Sequence, residues 1–570
     1  MKKLINEPNH VTRDMLEGLV AINPTLALLN DDTVVVRSDL TEWRKKSHVA
    51  LVSGGGAGHE PAHAGYVGEG MLTAAVSGEV FTSPSTDAVL SAIRACATPA
   101  GVLLIIKNYT GDRLNFGLAA ELARADGIPV EMVIVADDAA FERTPGQANN
   151  RRGIAGTIFV HKVAGATAAT GATLAQVKTE ATRAAEAVRT MGVALSACTV
   201  PAVGSPGFLL AENEIEFGLG IHGERGVRRG SLVPADEIAT QLVERLVEDS
   251  ALPAGDDVVL LVNGLGATPL MELAIVARAA LRELHSRNLR VQRAWCGTFL
   301  SAIDMAGCSI SIMPVDAGRL ARLDASTSAP AWVRTPSMPV SSAPARIETA
   351  APADSAATVQ AAHGKKDPVL EASLRRVAMA LLEAETKLTA SDQAVGDGDL
   401  GISMSRAARA ILENVDTLSG QPVATALMSL SNIMRRVIAG SSGPFYAVGL
   451  GRAAARLKQG DGSPRAWANA FEGACDAISE LGGAKPGDRT MLDALYPAAA
   501  AFRKLIEQGK SWVDAVTAAA SAAEQGVRQT AQMVPRRGRS AYIGERALGS
   551  PDPGAEAIAV WLRGIAGLTP

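Results

Sequence analysis

Residues 325–367 read ASTSAPAWVRTPSMPVSSAPARIETAAPADSAATVQAAHGKKD. The stretch is rich in Pro, Ala, Ser and Thr and shows no hydrophobic period, so its composition marks an extended linker. It decides the fold because the sequence differs in kind on its two sides. Before it, short β-branched runs alternate with helical patterns. The runs are TVVVR (33–37), VALV (49–52), VLLII (102–106) and VEMVIV (130–135), then DVVLLV (257–262), VQRAW (291–295) and SISIMPV (309–315). PADEIATQLVERLVED (234–249) and PLMELAIVARAALRELHSR (269–287) carry helical spacing between them. Such alternation implies α/β units, here two α/β subdomains over residues 1–190 and 191–324. After the stretch, apolar residues recur at helical spacing from Val369 onward. That predicts about eight helices in an all-α domain over 368–570.

A chain of 570 residues is long enough for several domains. Its net charge of −4 and its lack of a basic run argue against nucleic acid or anionic membrane as the main partner. The five cysteines form no CxxC pair, which suits buried thiols in a reducing cytoplasm. MKKLINEPNH has no apolar core behind its lysines and so is not a signal peptide. No apolar run reaches the length of a membrane span.

Chemistry concentrates in a few loops. LTASDQAVGDGDLG (388–401) places Asp392, Asp397 and Asp399 within eight residues. On a helix, positions 392 and 397 would point about 140° apart, so the carboxylates converge only if the chain loops. Hard oxygen ligands at that density suit Mg²⁺, which leaves room for phosphate oxygens; the alternative is an acidic turn. In LVSGGGAGHEPAH (51–63) a glycine loop follows a strand directly and ends on His59, with His63 four residues on. It matches neither a Walker A motif nor a GxGxxG fingerprint, and it reads as a ligand loop or a plain turn. KNYTGDRLNFG (107–117) puts Lys107 and Asp112 after a strand, where open α/β sheets bind ligands. With His59 they form an acid–base set; alone they form a surface ion pair. His222 stands in FGLGIHGERGVRRG (217–230), a glycine-rich loop with no helix face for it to pack on, so it reads as a base or a nucleophile. The remaining histidines read as structural or exposed. AGSSGP (439–444), GGAKPGDRTMLDAL (482–495) and GRSAYIGERALGSPDPG (538–554) are three further loops unlike ordinary helix connections.

Taken in order, SGGGAGHEPAHAGYVG, GEVFTSPS, KNYTGDRLNFG, RRGIAGTIFVHK, GLGIHGE, VGDGDLG, GSSGP, GAKPGDRTMLDAL and YIGERALGSPDPG resemble the dihydroxyacetone kinase family in its fused, ATP-dependent form. The resemblance spans nearly the whole chain apart from the linker. It implies an N-terminal K domain that binds dihydroxyacetone and a C-terminal L domain, a helical barrel that binds Mg-ATP. It implies a covalent hemiaminal on His222, with Asp112 or His59 as the acid–base group. Gly56, Ala57, Gly58, His59, Lys107 and Asp112 would hold the substrate. Asp392, Asp397 and Asp399 would bind Mg²⁺. Leu400, Gly401, Ile402, Ser403, Ser441, Ser442, Gly482, Met491, Arg539, Asp552, Pro553 and Gly554 would contact the nucleotide. It also implies a homodimer through the K domains.

One departure bears on the phosphoryl donor. Subunits fed by a phosphotransfer protein read VGDGDHG followed by an asparagine, whereas Leu400 and Ser403 stand here. That favours free ATP. Alternatives left open are a kinase for glyceraldehyde or erythrulose, FAD cleavage at the same nucleotide site, and a sugar-sensing regulator without catalysis.

Overall fold

The computed structural model describes residues 2–30, 33–142, 151–347, 366–438, 440 and 442–567, and the backbone but not the side chain of Arg539. It divides into two compact units, Met1–Arg346 and Ile347–Pro570. Among the described residues no helix is long and apolar enough to cross a membrane.

The first unit holds two six-stranded sheets. Strands β1 (Leu26–Leu28), β2 (Val34–Arg37), β3 (Ala50–Ala57), β4 (Ala74–Val80), β5 (Val102–Lys107) and β6 (Val130–Val135) form one sheet in the order β1-β2-β4-β3-β5-β6. Its β4, β3, β5 and β6 run parallel, as the α/β alternation predicts. Strands β7 (Arg189–Ala194), β8 (Glu214–Phe217), β9 (Arg228–Ser231), β10 (Asp257–Gly264), β11 (Arg290–Gly297) and β12 (Gly307–Pro314) form the other, ordered β11-β10-β12-β7-β8-β9. Here the expectation of α/β units needs qualifying, because only β10 and β11 are parallel and every other pair is antiparallel. Strands β4, β7 and β9 escape a search for β-branched runs: AAVSGEV, RTMGVA and RRGS are small, glycine-bearing or polar.

The helices of this unit are α1 (Val11–Ile22), α2 (Leu40–Arg44), α3 (Thr86–Cys96), α4 (Thr110–Ala125), α5 (Thr157–Ala169), α6 (Leu174–Ala187), α7 (Ala235–Ser250), α8 (Leu270–Ser286) and α9 (Ala317–Asp324). Helix α5 is mostly apolar and almost wholly buried, as expected for a helix enclosed on every side. It shares one core with Leu51, Leu103 and Ile105 of the first sheet and Val259, Leu261 and Trp295 of the second.

The Pro- and Ser-rich stretch does not begin as a linker. Ser328 N donates to Glu69 O, Ala331 N to Gly65 O and Val340 N to Val291 O. Trp332 is buried, with its ring centroid 5.1 Å from Trp295 and 6.4 Å from Phe159. Composition misplaced the boundary because one tryptophan and one alanine, Ala329, bury enough apolar surface to dock a stretch of otherwise linker-like sequence. The later residues 348–365 lie outside the described residues.

The second unit is all-helical: α10 (Pro368–Glu383), α11 (Glu385–Gln393), α12 (Leu400–Ser419), α13 (Val423–Val437), α14 (Ser442–Gln459), α15 (Pro464–Gly482), α16 (Leu492–Glu507), α17 (Trp512–Thr530) and α18 (Pro553–Ala566). Starts and stops follow local chemistry. Asp367, Ser463 and Asp552 cap α10, α15 and α18 with side-chain oxygens, each followed by proline at the first helical position. Gly483 and Gly567 end α15 and α18 in left-handed backbone. The helices enclose an apolar cavity of about 610 Å³ lined by residues such as Leu381, Met404, Ile411, Tyr446 and Trp561, which agrees with the expected barrel.

Trp332→Ala should lower the stability of the first unit by about 3–5 kcal/mol, the usual cost of deleting a buried indole. Urea unfolding followed by tryptophan fluorescence measures it; an unchanged midpoint would mean that the segment after α9 only rests on the surface.

Candidate active site

The ketone pocket expected near His59 and His222 is built where β3 ends. The backbone there is crowded. A Cβ on Gly54 would lie 2.2 Å from Val76 O, and one on Gly56 would lie 2.6 Å from Thr82 N. Only glycine lets the turn after β4 come this close, and the turn delivers Phe81, itself in left-handed backbone at φ 61°. Phe81 stacks on His59 at 5.1 Å and meets the His222 ring edge-on at 5.2 Å. Tyr109 closes the other side, 4.6 Å from His222, and His59 lies 4.8 Å from it. His222 thus sits among three rings contributed by three separate loops.

Hydrogen bonds fix both imidazoles. His59 Nδ1 lies 2.9 Å from the Ser301 carbonyl, so it carries the proton and donates it. Its Nε2 is left as a buried lone pair without a partner. Burial, with the charges of Lys107 and His222, holds the pKa of His59 well below its ordinary value, so it stays neutral. His222 Nδ1 lies 2.8 Å from Glu224 Oε1, and the His222 amide donates to Glu224 Oε2 at 3.0 Å. Burial alone would raise the pKa of Glu224, but the bond to His222 and the charge of its ring hold it at about 2. An ionised Glu224 accepts from Nδ1–H, so whenever the ring is neutral its lone pair lies on Nε2.

Lys107 and Asp112 are both buried, which removes the surface-pair alternative. Burial lowers the pKa of Lys107, Asp112 is the strongest charge opposing that, and Nζ has no hydrogen-bond partner. A Cβ on Gly55 would lie 3.1 Å from Lys107 Nζ and 3.7 Å from Asp112 Oδ2. Tyr109 OH is buried and unpartnered as well. Buried polar atoms without partners are uncommon in native structures. Together, His59 Nε2, Lys107 Nζ and Tyr109 OH offer an acceptor and donors to a small polyhydroxy ligand. His63 does not join His59 as a metal ligand; its Nδ1 lies 3.0 Å from His161 Nε2 in a second, neutral pair.

The RRGIAG segment braces the His222 loop from behind. Arg152 donates to Asp138 Oδ2 at 2.7 Å and to Gly218 O at 2.5 Å. Asp137 accepts from the amides of Ile154 and Gly156. Sequence reasoning missed Phe81, Tyr109, Glu224 and Ser301. Glu224 stands two residues from His222 and Tyr109 two from Lys107, so proximity to the singled-out residues was the available signal. Phe81 lay inside the GEVFTSPS motif without being singled out, and Ser301 offered no signal.

In the second unit, Asp392, Asp397 and Asp399 each offer an oxygen, all within 4.8 Å of one another. Three carboxylate oxygens at that spacing would suit a hard cation such as Mg²⁺. Helix α11 ends one residue past Asp392, and Asp399 begins α12. A Cβ on Gly401 would lie 2.1 Å from Thr389 Oγ1, so glycine is needed for α12 to start against α11. Leu400, Gly401 and Ser403 are buried in that first turn and Ile402 is exposed. Met491, Asp552, Pro553 and Gly554 cluster: a Cβ on Gly554 would lie 3.6 Å from Met491 Cβ and 3.1 Å from Asp552 Oδ2. Burial raises the pKa of Asp552 to about 6. Ser442 opens α14, and Gly482 packs on Phe445 three residues into that helix. Ser441 and the side chain of Arg539 lie outside the described residues.

The Dak1 domain model matches residues 17–331, more than half of the chain, and the DAK2 domain model matches residues 394–567. The chain belongs to the dihydroxyacetone kinase family. It is 44% identical over 575 residues to the triokinase/FMN cyclase of Homo sapiens, covering 99% of this chain and 98% of that protein. It is 37% identical over 576 residues to the dihydroxyacetone kinase of Citrobacter freundii, covering 98% of each. The crystal structure of the C. freundii kinase in complex with AMP-PNP and Mg²⁺ matches with a TM-score of 0.63 at 36% identity, over 99% of each chain.

Glu224 has a pH signature. Its folded pKa of about 2 lies below the ordinary 4.5. Its contribution to stability is therefore full above about 4.5 and is lost as pH falls towards about 2. The urea midpoints of wild type and Glu224→Gln should differ most near neutral pH and converge through that window. A gap that persists at the acid end would mean that Glu224 acts by packing rather than by charge.

Proposed function

We propose that the protein phosphorylates dihydroxyacetone to dihydroxyacetone phosphate with ATP, the substrate being held as a hemiaminal on His222. The observation that carries the reading is the His222–Glu224 pair, which directs Nδ1 to a carboxylate and leaves Nε2 for a ligand, with the buried, unpartnered His59 Nε2 and Tyr109 OH on the neighbouring rings and Lys107 Nζ over the Tyr109 ring. In the addition step the Nε2 lone pair forms a bond to the carbonyl carbon. The carbonyl π pair moves to oxygen, which takes up one proton. That proton is the one the ring gives up from Nδ1 by way of Glu224, so Glu224 ends ionised as it began and the adduct is neutral overall. Lys107 and Asp112 bind the hydroxyls, Gly56, Ala57 and Gly58 line the approach, and the neutral His59 Nε2 or the Asp112 carboxylate receives the proton of the attacking hydroxyl.

Asp392, Asp397 and Asp399 would hold Mg²⁺, which when bound offsets phosphate charge and orients the γ-phosphate. Residues 400–403, Ser441, Ser442, Gly482, Met491, Arg539 and 552–554 would contact the nucleotide. Leu400 neither accepts a phosphoryl group nor moves a proton, so ATP alone should sustain turnover. The relatives' names also point to FMN cyclisation and to other short keto- and aldo-sugars, which a substrate panel of dihydroxyacetone, glyceraldehyde, erythrulose and glycerol would sort. A homodimer through the first unit fits the exposed stripe Leu114, Leu118 and Leu122 on α4, and free thiols suit a cytoplasmic setting.

His222→Ala should weaken dihydroxyacetone binding and erase most of the preference over glycerol, which cannot form the adduct. An unchanged ratio of kcat/KM for the two substrates would rule the adduct out. Asp397→Asn should nearly abolish ATP-dependent turnover while calorimetry still detects dihydroxyacetone binding; loss of ketone binding would contradict a nucleotide role for that cluster.

A further inference from the structure

Arg489, in the GAKPGDRTMLDAL loop, has no task in the reading above. It is fully buried and sits in left-handed backbone at φ 61°, a conformation that disfavours side chains with a Cβ. Among the described residues it forms no ion pair. Its donors go to main-chain carbonyls instead: Nε to Thr530 O at 3.2 Å, and Nη2 to Ser550 O at 2.8 Å, Ala547 O at 3.3 Å and Pro551 O at 3.4 Å. Nη1 is buried without a partner among the described residues.

Those carbonyls belong to two segments, the end of α17 and the loop leading into α18. That loop ends at Asp552, whose amide donates to Thr530 Oγ1 at 2.8 Å and whose carboxylate accepts from Ala555 N at 2.9 Å. Two residues beyond Arg489 lies Met491, already placed against Gly554. One side chain therefore ties the loop carrying Met491 to the loop carrying Asp552, Pro553 and Gly554. A guanidinium spreads five donors over a rigid plane and so reaches carbonyls on two segments from fixed positions, whereas an ammonium gathers its three donors on one nitrogen.

We propose that Arg489 is the positioning residue of the nucleotide site, holding Met491 and residues 552–554 at the spacing an adenine nucleotide requires through its bonds to the carbonyls of Thr530, Ala547, Ser550 and Pro551. The inference rests on the reading that those residues contact the nucleotide. It carries an electrostatic corollary. Asp552 faces Arg489, Asp493 and Glu556; Arg489 lowers its pKa, while burial and the two carboxylates raise it. Removing the guanidinium moves the Asp552 titration to higher pH.

The test uses the full-length protein and steady-state kinetics with ATP and dihydroxyacetone across pH, for wild type, Arg489→Gln, Arg489→Lys and Asp552→Asn. Arg489→Gln is expected to raise KM for ATP by about tenfold or more and to leave KM for dihydroxyacetone unchanged. The acid limb of kcat/KM for ATP should move to higher pH, a shift that loose packing alone would not produce. Arg489→Lys should recover the position of that limb but only part of the affinity. A folded Arg489→Gln protein with wild-type KM for ATP and an unmoved acid limb overturns the proposal. Should Arg489→Gln fail to fold, Arg489→Lys decides: it keeps the charge but not the fork, and wild-type KM for ATP in that variant overturns the proposal equally. Asp552→Asn with unchanged KM for ATP would instead overturn the nucleotide reading of residues 552–554.

Discussion

Backbone crowding at the carboxyl end of β3 is the constraint on which the pocket around His59 and His222 depends. Gly54 and Gly56 lie against Val76 O and Thr82 N at distances that no Cβ tolerates, and Gly78 lies as close to Thr82 O. That approach brings Phe81 over His59, and the Gly58 carbonyl then receives the Ile303 amide while His59 O receives that of Ser301. The His59 ring donates to the Ser301 carbonyl in turn. A loop from the second sheet thus fixes the tautomer of a histidine delivered by the first. The two sheets of this unit act together because neither could orient His59 alone.

Desolvation sets the chemistry. His59, Lys107 and Tyr109 are each pushed by burial towards their neutral forms, whereas Glu224 is held ionised against the same burial by its bond to His222. Opposite directions of shift in one pocket give one anion that orients an imidazole beside buried groups that can exchange hydrogen bonds with a ligand. The unpartnered atoms cost stability in the empty fold, a common trade at functional sites.

The second unit solves a different problem. Carboxylates that repel one another are held together by a helix end, a glycine turn and a helix start. Asp392 Oδ2 also accepts the Leu400 amide at 3.1 Å, which ties the two ends of the turn. At the other loops a buried arginine spends its donors on main-chain carbonyls. In both places backbone contacts help to position the charge.

Much of this was legible in the sequence, for local reasons. Parallel strands with β-branched runs, capped helices and the Asp-Gly-Asp turn are written in neighbouring residues, so the α/β half, the all-α half and the carboxylate cluster could be read directly. The ordered motifs carried the family. Other features depend on residues far apart in the chain. Strands β7 and β9 form because β12 and β8 offer them partners, although their own residues are small or polar. Trp332 turns linker-like sequence into packed structure only because Trp295 and Phe159 lie where it lands. Phe81 and Ser301 join His222 and His59 across separations of more than a hundred residues in sequence, and Arg489 finds its carbonyls more than forty residues downstream. Spacing along the chain determined which residues stand as candidates for the chemistry; only tertiary packing, through burial and the hydrogen bonds it forces, decided which nitrogen of His59 bears a proton and which is left as a lone pair.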